Sequence, residues 1–150
     1  MYQDSFNAFL RSGDTLQVYE GKRLVFSSEK DRLLPLMEYI GQSAVSPREV
    51  VIFDKITGNA AALLSVKAGG RQVFSSMGSQ LAVETLDKHG VKHHITDIVS
   101  CIQRADGAGM CPMEKLSLSK GPEDFYLEMK NIISRAEAGA AERKEKLWKK

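Results

Sequence analysis

Hydrophobic and polar residues alternate in two short segments near the start of the chain. Residues 15–19 and 23–27 carry this two-residue period and are separated by only three residues, with Gly21 at their centre. Because successive side chains of a strand point to opposite faces, the pattern predicts a β-hairpin in which Leu24 and Phe26 share a face. Gly21 supplies the positive φ that a tight turn requires.

The rest of the chain switches between helical and extended patterns. A short leading helix is expected within residues 1–14. Apolar residues at helical spacing predict later helices that begin near residues 35, 58, 79, 112 and 122. Runs rich in β-branched and aromatic residues predict three strands between them, at 50–53, 72–75 and 91–95.

This order of elements predicts an α/β fold in one domain that covers residues 1–150. Strands separated by helices form parallel crossovers, and the hairpin adds an antiparallel pair. We therefore expect a three-layer α/β/α architecture with a mixed five-stranded sheet. Residues 139–150 are expected to form a basic C-terminal tail or an extension of the last helix.

Composition and charge narrow the class of protein further. The chain is 43% hydrophobic and 27% charged, which is ordinary for a globular domain. Its net charge of +2 arises from the C-terminal residues 135–150, so nucleic-acid binding is not expected. Without an apolar run long enough to span a bilayer or a signal-like N-terminus, the sequence predicts a cytoplasmic protein with no membrane partner.

Three histidines and two cysteines would suffice in number for one zinc site. His93 and His94 are neighbours in a predicted strand, so they should point to opposite faces. Cys101 and Cys111 are ten residues apart, unlike the short Cys-x-x-Cys spacing of zinc sites. The sequence therefore predicts neither zinc nor another cofactor.

Two local patterns resemble an uncharacterised domain family, a domain of unknown function assigned to the cytidine deaminase-like fold. Residues 54–62 read DKITGNAAA, and residues 109–114 read GMCPME. The resemblance covers residues 15–135. It implies the cytidine deaminase-like fold and a pocket at the starts of the helices.

The residues that deaminases use for zinc chemistry are missing from the matching positions. Working deaminases carry His/Cys-x-Glu at one helix start and Pro-Cys-x-x-Cys at the next. Glu29 aligns with the catalytic glutamate, but no histidine or cysteine precedes it, and residues 54–58 contain no cysteine. The resemblance thus implies the fold and its pocket, while zinc-dependent deaminase activity is not expected.

A ligand pocket is predicted where the strand at 50–53 meets the following helix. Asp54, Lys55, Gly58 and Asn59 lie at this junction, and ligands of open α/β sheets bind at the carboxyl ends of strands. The free N–H groups of the helix start suit a phosphate, and Ser76 from the next strand can line the same crevice. The alternative is a capped helix start in which Asp54 satisfies the turn.

Cys111 and Glu114 are the remaining candidate site residues. Cys111 precedes Pro112 and should be a helix N-cap, where the helix dipole favours a thiolate. Glu114 lies in the first turn of the same helix and either closes the pocket or complements the dipole. The alternative for Cys111 is packing as a small apolar side chain.

Three functions are compatible with these observations. The first is a zinc-free deaminase-fold protein that binds a nucleotide or a phosphorylated small molecule. The second is an enzyme of another class in which Lys55 or Cys111 is the nucleophile. The third is a non-catalytic interaction module that forms homo-oligomers through a sheet edge or the tail, with Trp148 as an anchor. The sequence does not identify a reaction.

Overall fold

This computed structural model describes residues 2–42, 49–103, 106–107 and 109–148. In chain order they form α1 (Gln3–Arg11), β1 (Leu16–Glu20), β2 (Arg23–Ser28), α2 (Leu34–Gln42), β3 (Val50–Thr57), α3 (Asn59–Lys67), β4 (Gly70–Ser79), α4 (Gln80–Lys88), β5 (Lys92–Val99), α5 (Pro112–Ser117) and α6 (Pro122–Trp148). The order is the predicted one.

The strands form one five-stranded sheet in the order β2-β1-β3-β4-β5. β1 is antiparallel to β2 and to β3, whereas β3, β4 and β5 are parallel. The parallel strands are joined through α3 and α4, because a parallel connection has to cross back over the sheet. The predicted mixed five-stranded sheet is confirmed.

Helices cover both faces of this sheet. The larger core lies on one face, where α2, α3, α4 and α6 pack against apolar residues such as Val18, Ile52 and Val73. On the opposite face, α1 packs Phe6 and Phe9 against an aromatic group that includes Phe53 and Phe74. The continuous apolar run at the start of β3 follows from this arrangement, since the strand is buried on both faces.

The hairpin departs from the prediction in its register. A bulge between Val18 and Tyr19 places Val18 opposite Phe26 but Tyr19 opposite Leu24. β2 has one extra residue at the bulge, which reverses the alternation of faces along the strand. The prediction that Leu24 and Phe26 share a face is therefore wrong. Leu24 is 46% exposed, on the edge strand of the sheet.

Three strands extend beyond their predicted ends: β3 to Thr57, β4 to Ser79 and β5 to Val99. Their last residues are more polar, but they continue the hydrogen-bonded ladder. Asp54 and Lys55 therefore lie inside β3 and not in a loop after it. This position decides where their side chains point.

The C-terminal helix α6 is 27 residues long and includes residues 139–148. The side chain of Trp148, considered above as an anchor, lies outside the described part of the chain. Among the helices that the structure describes, none is long and apolar enough to cross a membrane.

Candidate functional site

Buried polar side chains concentrate where β3 and β4 end and where α3 and α4 begin. Nine polar or charged side chains are buried among the described residues, and seven of them lie in the C-terminal halves of β3 and β4, at the start of α3 or on α5. We call these seven residues the polar edge: Asp54, Thr57, Asn59, Ser75, Ser79, Glu114 and Ser117. The carboxyl ends of parallel strands are where open α/β sheets bind their ligands.

The carboxylate of Glu114 is the hub of the polar edge. Its Oε1 atom accepts hydrogen bonds from the backbone N of Asn59 at 2.6 Å and from the Oγ of Ser79 at 3.0 Å. Its Oε2 atom accepts from the backbone N of Ile102 at 2.8 Å. Glu114 is only 2% exposed. It therefore satisfies free N–H groups that a phosphate at the start of α3 would otherwise use.

Gly58 permits this approach. It is the N-cap of α3 and has no side chain to cap the helix itself. A Cβ atom on Gly58 would lie 3.0 Å from Oε2 of Glu114 and 3.0 Å from Cγ1 of Ile102. The sequence predicted a ligand beside Gly58, but in the structure the carboxylate of Glu114 occupies this space.

Two further side chains extend the network across three helices. Asn59 donates from Nδ2 to the Oγ of Ser117 at 2.9 Å, and Thr85 donates to Oδ1 of Asn59. Ser79 is the N-cap of α4 and accepts from the backbone N of Ala82, as its sequence position predicted. These bonds join α3, α4 and α5 into one polar unit.

Asp54 lies outside that network. It pairs with Leu16 and Ser75 in the sheet and is 8% exposed. Burial raises the pKa of its carboxyl to about 8, and a hydrogen bond with the backbone of Ile56 opposes this shift only in part. Within the part of the chain that the structure describes, no cation forms an ion pair with it. Asp54 is therefore a neutral acid near pH 7, and its proton makes it a hydrogen-bond donor.

Thr57 is the second polar group that the network leaves aside. Its side chain is fully buried, and its Oγ1 atom has no hydrogen-bond partner among the described residues. Ser75, which pairs with Asp54 in the sheet, is satisfied, since its Oγ donates to the backbone O of Met77 at 2.9 Å. Thr57 was not singled out from the sequence, although its place immediately before Gly58 was a usable signal.

The structure does not bring Lys55 together with Asp54 as predicted. Adjacent residues of a strand point to opposite faces. The Nζ atom of Lys55 donates to the backbone O of Ser12 at 2.6 Å and lies 5.5 Å from the centre of the Phe9 ring. Lys55 thus holds the end of α1 on the far face, while Ser76 donates from Oγ to the backbone O of Lys55 at 2.6 Å.

Among the described residues, neither of the other two candidates is hydrogen-bonded to the polar edge. Glu29 is exposed and precedes the first residue of α2, Leu34, by five positions. Cys111 is the N-cap of α5, as predicted, but its side chain makes no capping hydrogen bond. Its backbone N donates to the backbone O of Ile102 at 2.8 Å, and its thiol is free and half-buried.

The histidines lie on opposite faces, as predicted. His93 pairs with Asp87 of α4, with 2.9 Å between Nε2 and Oδ1. His94 stacks on Phe74 at a ring distance of 4.2 Å, on the face that α1 covers in part. Within the described ranges, no three histidine, cysteine, aspartate or glutamate residues are grouped so that they could hold a metal ion.

Comparison with known proteins gives a family and a fold. The model of a domain of unknown function, DUF1893, matches residues 5–133. The crystal structure of a DUF1893 family protein from Thermotoga maritima is similar, with a TM-score of 0.74 and 24% identity over 89% of this chain and 88% of that chain. No curated protein matches. Because the family model spans most of the chain, the protein belongs to the DUF1893 family, whose function is unknown.

Proposed function

We propose that this protein is a zinc-free ligand-binding protein with a cytidine deaminase-like fold, and that part of a nucleotide or another phosphorylated small molecule contacts its polar edge. A hairpin followed by three parallel strands supports the deaminase-like assignment. The residues at those helix starts contain no histidine or cysteine, which supports binding without zinc chemistry.

The observation that carries the proposal is a buried hydroxyl that the protein itself does not satisfy, together with a buried carboxyl that has a backbone hydrogen bond but no counter-charge. The hydroxyl of Thr57 has no partner among the described residues, and the carboxyl of Asp54 has no cation beside it. An unsatisfied buried polar group costs about 1–3 kcal/mol. An apolar residue at position 57 would avoid this cost, so the Thr57 hydroxyl is best explained by contact with a ligand.

The polar edge favours a neutral part of the ligand. Glu114 already places a carboxylate at the start of α3, and this charge repels a phosphate. Asp54, as a neutral acid, donates a hydrogen bond, and the hydroxyl of Thr57 donates or accepts one. A base or a sugar hydroxyl fits these partners better than a phosphate does.

Ligand entry requires a local opening of this edge. Asp54 is 8% exposed and Thr57 is fully buried, so neither side chain is within reach of a molecule at the surface. Binding that depends on such an opening is slow to associate. We therefore expect association rates below the usual range for small molecules.

The two unpartnered buried hydroxyls give a matched test. Thr57→Val removes the hydroxyl at the polar edge, and Ser65→Ala removes the other one, within α3. Both variants should be at least as stable as the wild type, because a buried unsatisfied group is lost. A panel of nucleosides and nucleotides is first screened by thermal shift, since a ligand at one hundred times its Kd adds about 2.7 kcal/mol.

The dissociation constant of each hit is then measured by calorimetry for the three proteins. Thr57→Val should weaken binding about tenfold, and Ser65→Ala should leave it unchanged. A panel without any shift, or equal affinity in Thr57→Val and wild type, would contradict the proposal. Cytidine turnover that appears when zinc is added would contradict its zinc-free part.

A further inference from the structure

A groove lies apart from Asp54 and Thr57, between α3, α4 and the turn that precedes α6. Its volume is about 410 Å³. Binding pockets for small molecules commonly measure about 300–1,000 Å³, so this groove is large enough for one. Two residues of the polar edge, Asn59 and Ser117, also line the groove.

The charges along the groove are mostly positive. Lys88 comes from the end of α4 and Lys120 comes from the turn, and Glu84 is the only acidic residue of the lining. Glu84 and Lys88 have the spacing of a helical ion pair, yet no salt bridge joins them. Within the described residues neither lysine has an ion-pair partner, so both ammonium groups are available to an anion.

The floor of the groove is rigid and neutral. Asn59 and Thr85 satisfy one another, and Ser117 accepts the second hydrogen bond of the Asn59 amide. The hydroxyl of Ser119 adds a further polar group in the turn. A preorganised floor lowers the cost of binding, because few side chains have to be ordered.

An apolar wall completes the site. Leu63 and Leu81 line one part of the groove, and Leu118, which is 39% exposed, lines another. Two lysines, hydroxyls and an apolar wall together suit a molecule that carries phosphate on a less polar body. The pairing of ammonium groups with phosphate supplies the strongest of these contacts.

We propose that this groove is a binding site for a phosphate-bearing small molecule, with Lys88 and Lys120 as the phosphate contacts. The proposal goes beyond the ligand contact at the polar edge, since it uses other side chains on another surface. Asn59 connects the two sites: its backbone N bonds to Glu114, and its side chain forms part of the groove floor.

The test uses inorganic pyrophosphate, which carries the anion without a base and therefore does not report on the polar edge. Its affinity is measured by calorimetry at constant ionic strength for the full chain. The double variant Lys88→Gln and Lys120→Gln is compared with a control in which two exposed lysines elsewhere, Lys22 and Lys92, are changed to Gln. We expect the groove variant to bind at least about tenfold more weakly and the control to bind as the wild type does.

NMR amide shifts locate the anion in the same titration. The amides of Ser119 and Lys120 should move on addition of pyrophosphate, and that of Lys92 should not. No binding by the wild type, or an equal loss in both double variants, would overturn the proposal, the latter because it indicates attraction to surface charge in general. Thr57→Val should bind pyrophosphate like the wild type, so a failure at one site is distinguishable from a failure at the other.

Discussion

At the scale of single residues, Asp54 is a carboxylic acid at a position where burial disfavours its charged form. Its carboxyl is buried within the sheet, and burial raises its pKa to about 8 from the ordinary value of 3.8. Between these two values the folded chain retains a proton that the unfolded chain has released. Stability therefore falls as the pH rises through this window, and the contribution of the protonated form is lost above pH 8.

Asp54→Asn should remove this pH dependence, because the amide has nearly the same shape and does not ionise. The variant should gain stability over the wild type on the order of 1 kcal/mol for each pH unit within the window, and the two should converge towards its lower end. Urea unfolding at about pH 5, 7 and 9 measures the difference. Parallel stability curves for the two proteins would contradict the assignment.

Glu114 is the opposite case, a buried carboxylate whose charge is matched by three donors. Glu114→Gln replaces one acceptor oxygen by an NH₂ group, which then meets a donor. We expect a loss of about 2 kcal/mol in the free energy of unfolding.

The matched control is Glu128→Gln on the exposed face of α6, which should change stability by less than about 0.5 kcal/mol. Chemical denaturation of both variants near neutral pH provides the comparison. Equal losses in the two variants would show that the contacts of Glu114 contribute nothing beyond the charge of a surface glutamate.

At the scale of elements, the close approach of α5 to the start of α3 decides the arrangement of the site. The contact joins Asn59 to Glu114, which are 55 residues apart in the chain. Gly58 makes room for it, because any larger residue would meet both the carboxylate and Ile102.

Gly58→Ala should therefore destabilise the protein by about 1–3 kcal/mol through displacement of α5. Gly41→Ala is the control, since a Cβ at Gly41 in α2 meets no atom within 4 Å. This control should be neutral or stabilising by up to about 1 kcal/mol, because alanine favours the helix. Thermal melts of both variants test the contrast, and an unperturbed Gly58→Ala would mean that α5 is not held in this place.

At the scale of the whole molecule, α6 continues beyond the packed core. Phe125 and Met129 are buried and Ile133 packs against the core, whereas residues 134–138 are exposed. The DUF1893 match also ends at residue 133. The last part of α6 therefore adds little to the stability of the domain.

Removal of residues 139–150 should leave the free energy of unfolding within about 0.5 kcal/mol of the wild type. Circular dichroism should show a loss of helical signal without a shift of Tm. Light scattering of both chains tests the third function considered from the sequence, an interaction module. A smaller particle after truncation, beyond the loss of mass itself, would assign the tail to an interface between copies.

The features that depend on neighbours along the chain could be predicted from the residues alone. Periodicity predicted the order of the helices and strands, and local capping chemistry predicted Ser79 as the N-cap of α4. The alternation of faces along a strand placed His93 and His94 apart. Such features follow from local geometry, which the residues on either side are sufficient to specify.

Contacts between distant groups, in contrast, became visible only in the folded chain. The sequence grouped Lys55 with Asp54, but the longer β3 sends Lys55 to the far face and to Ser12. It left Glu114 either to close the pocket or to complement the dipole of its own helix, whereas its hydrogen bonds go to the start of α3 and to Ser79. The polar edge is therefore a product of packing, because contacts between residues far apart in the chain depend on how the helices seat on the sheet.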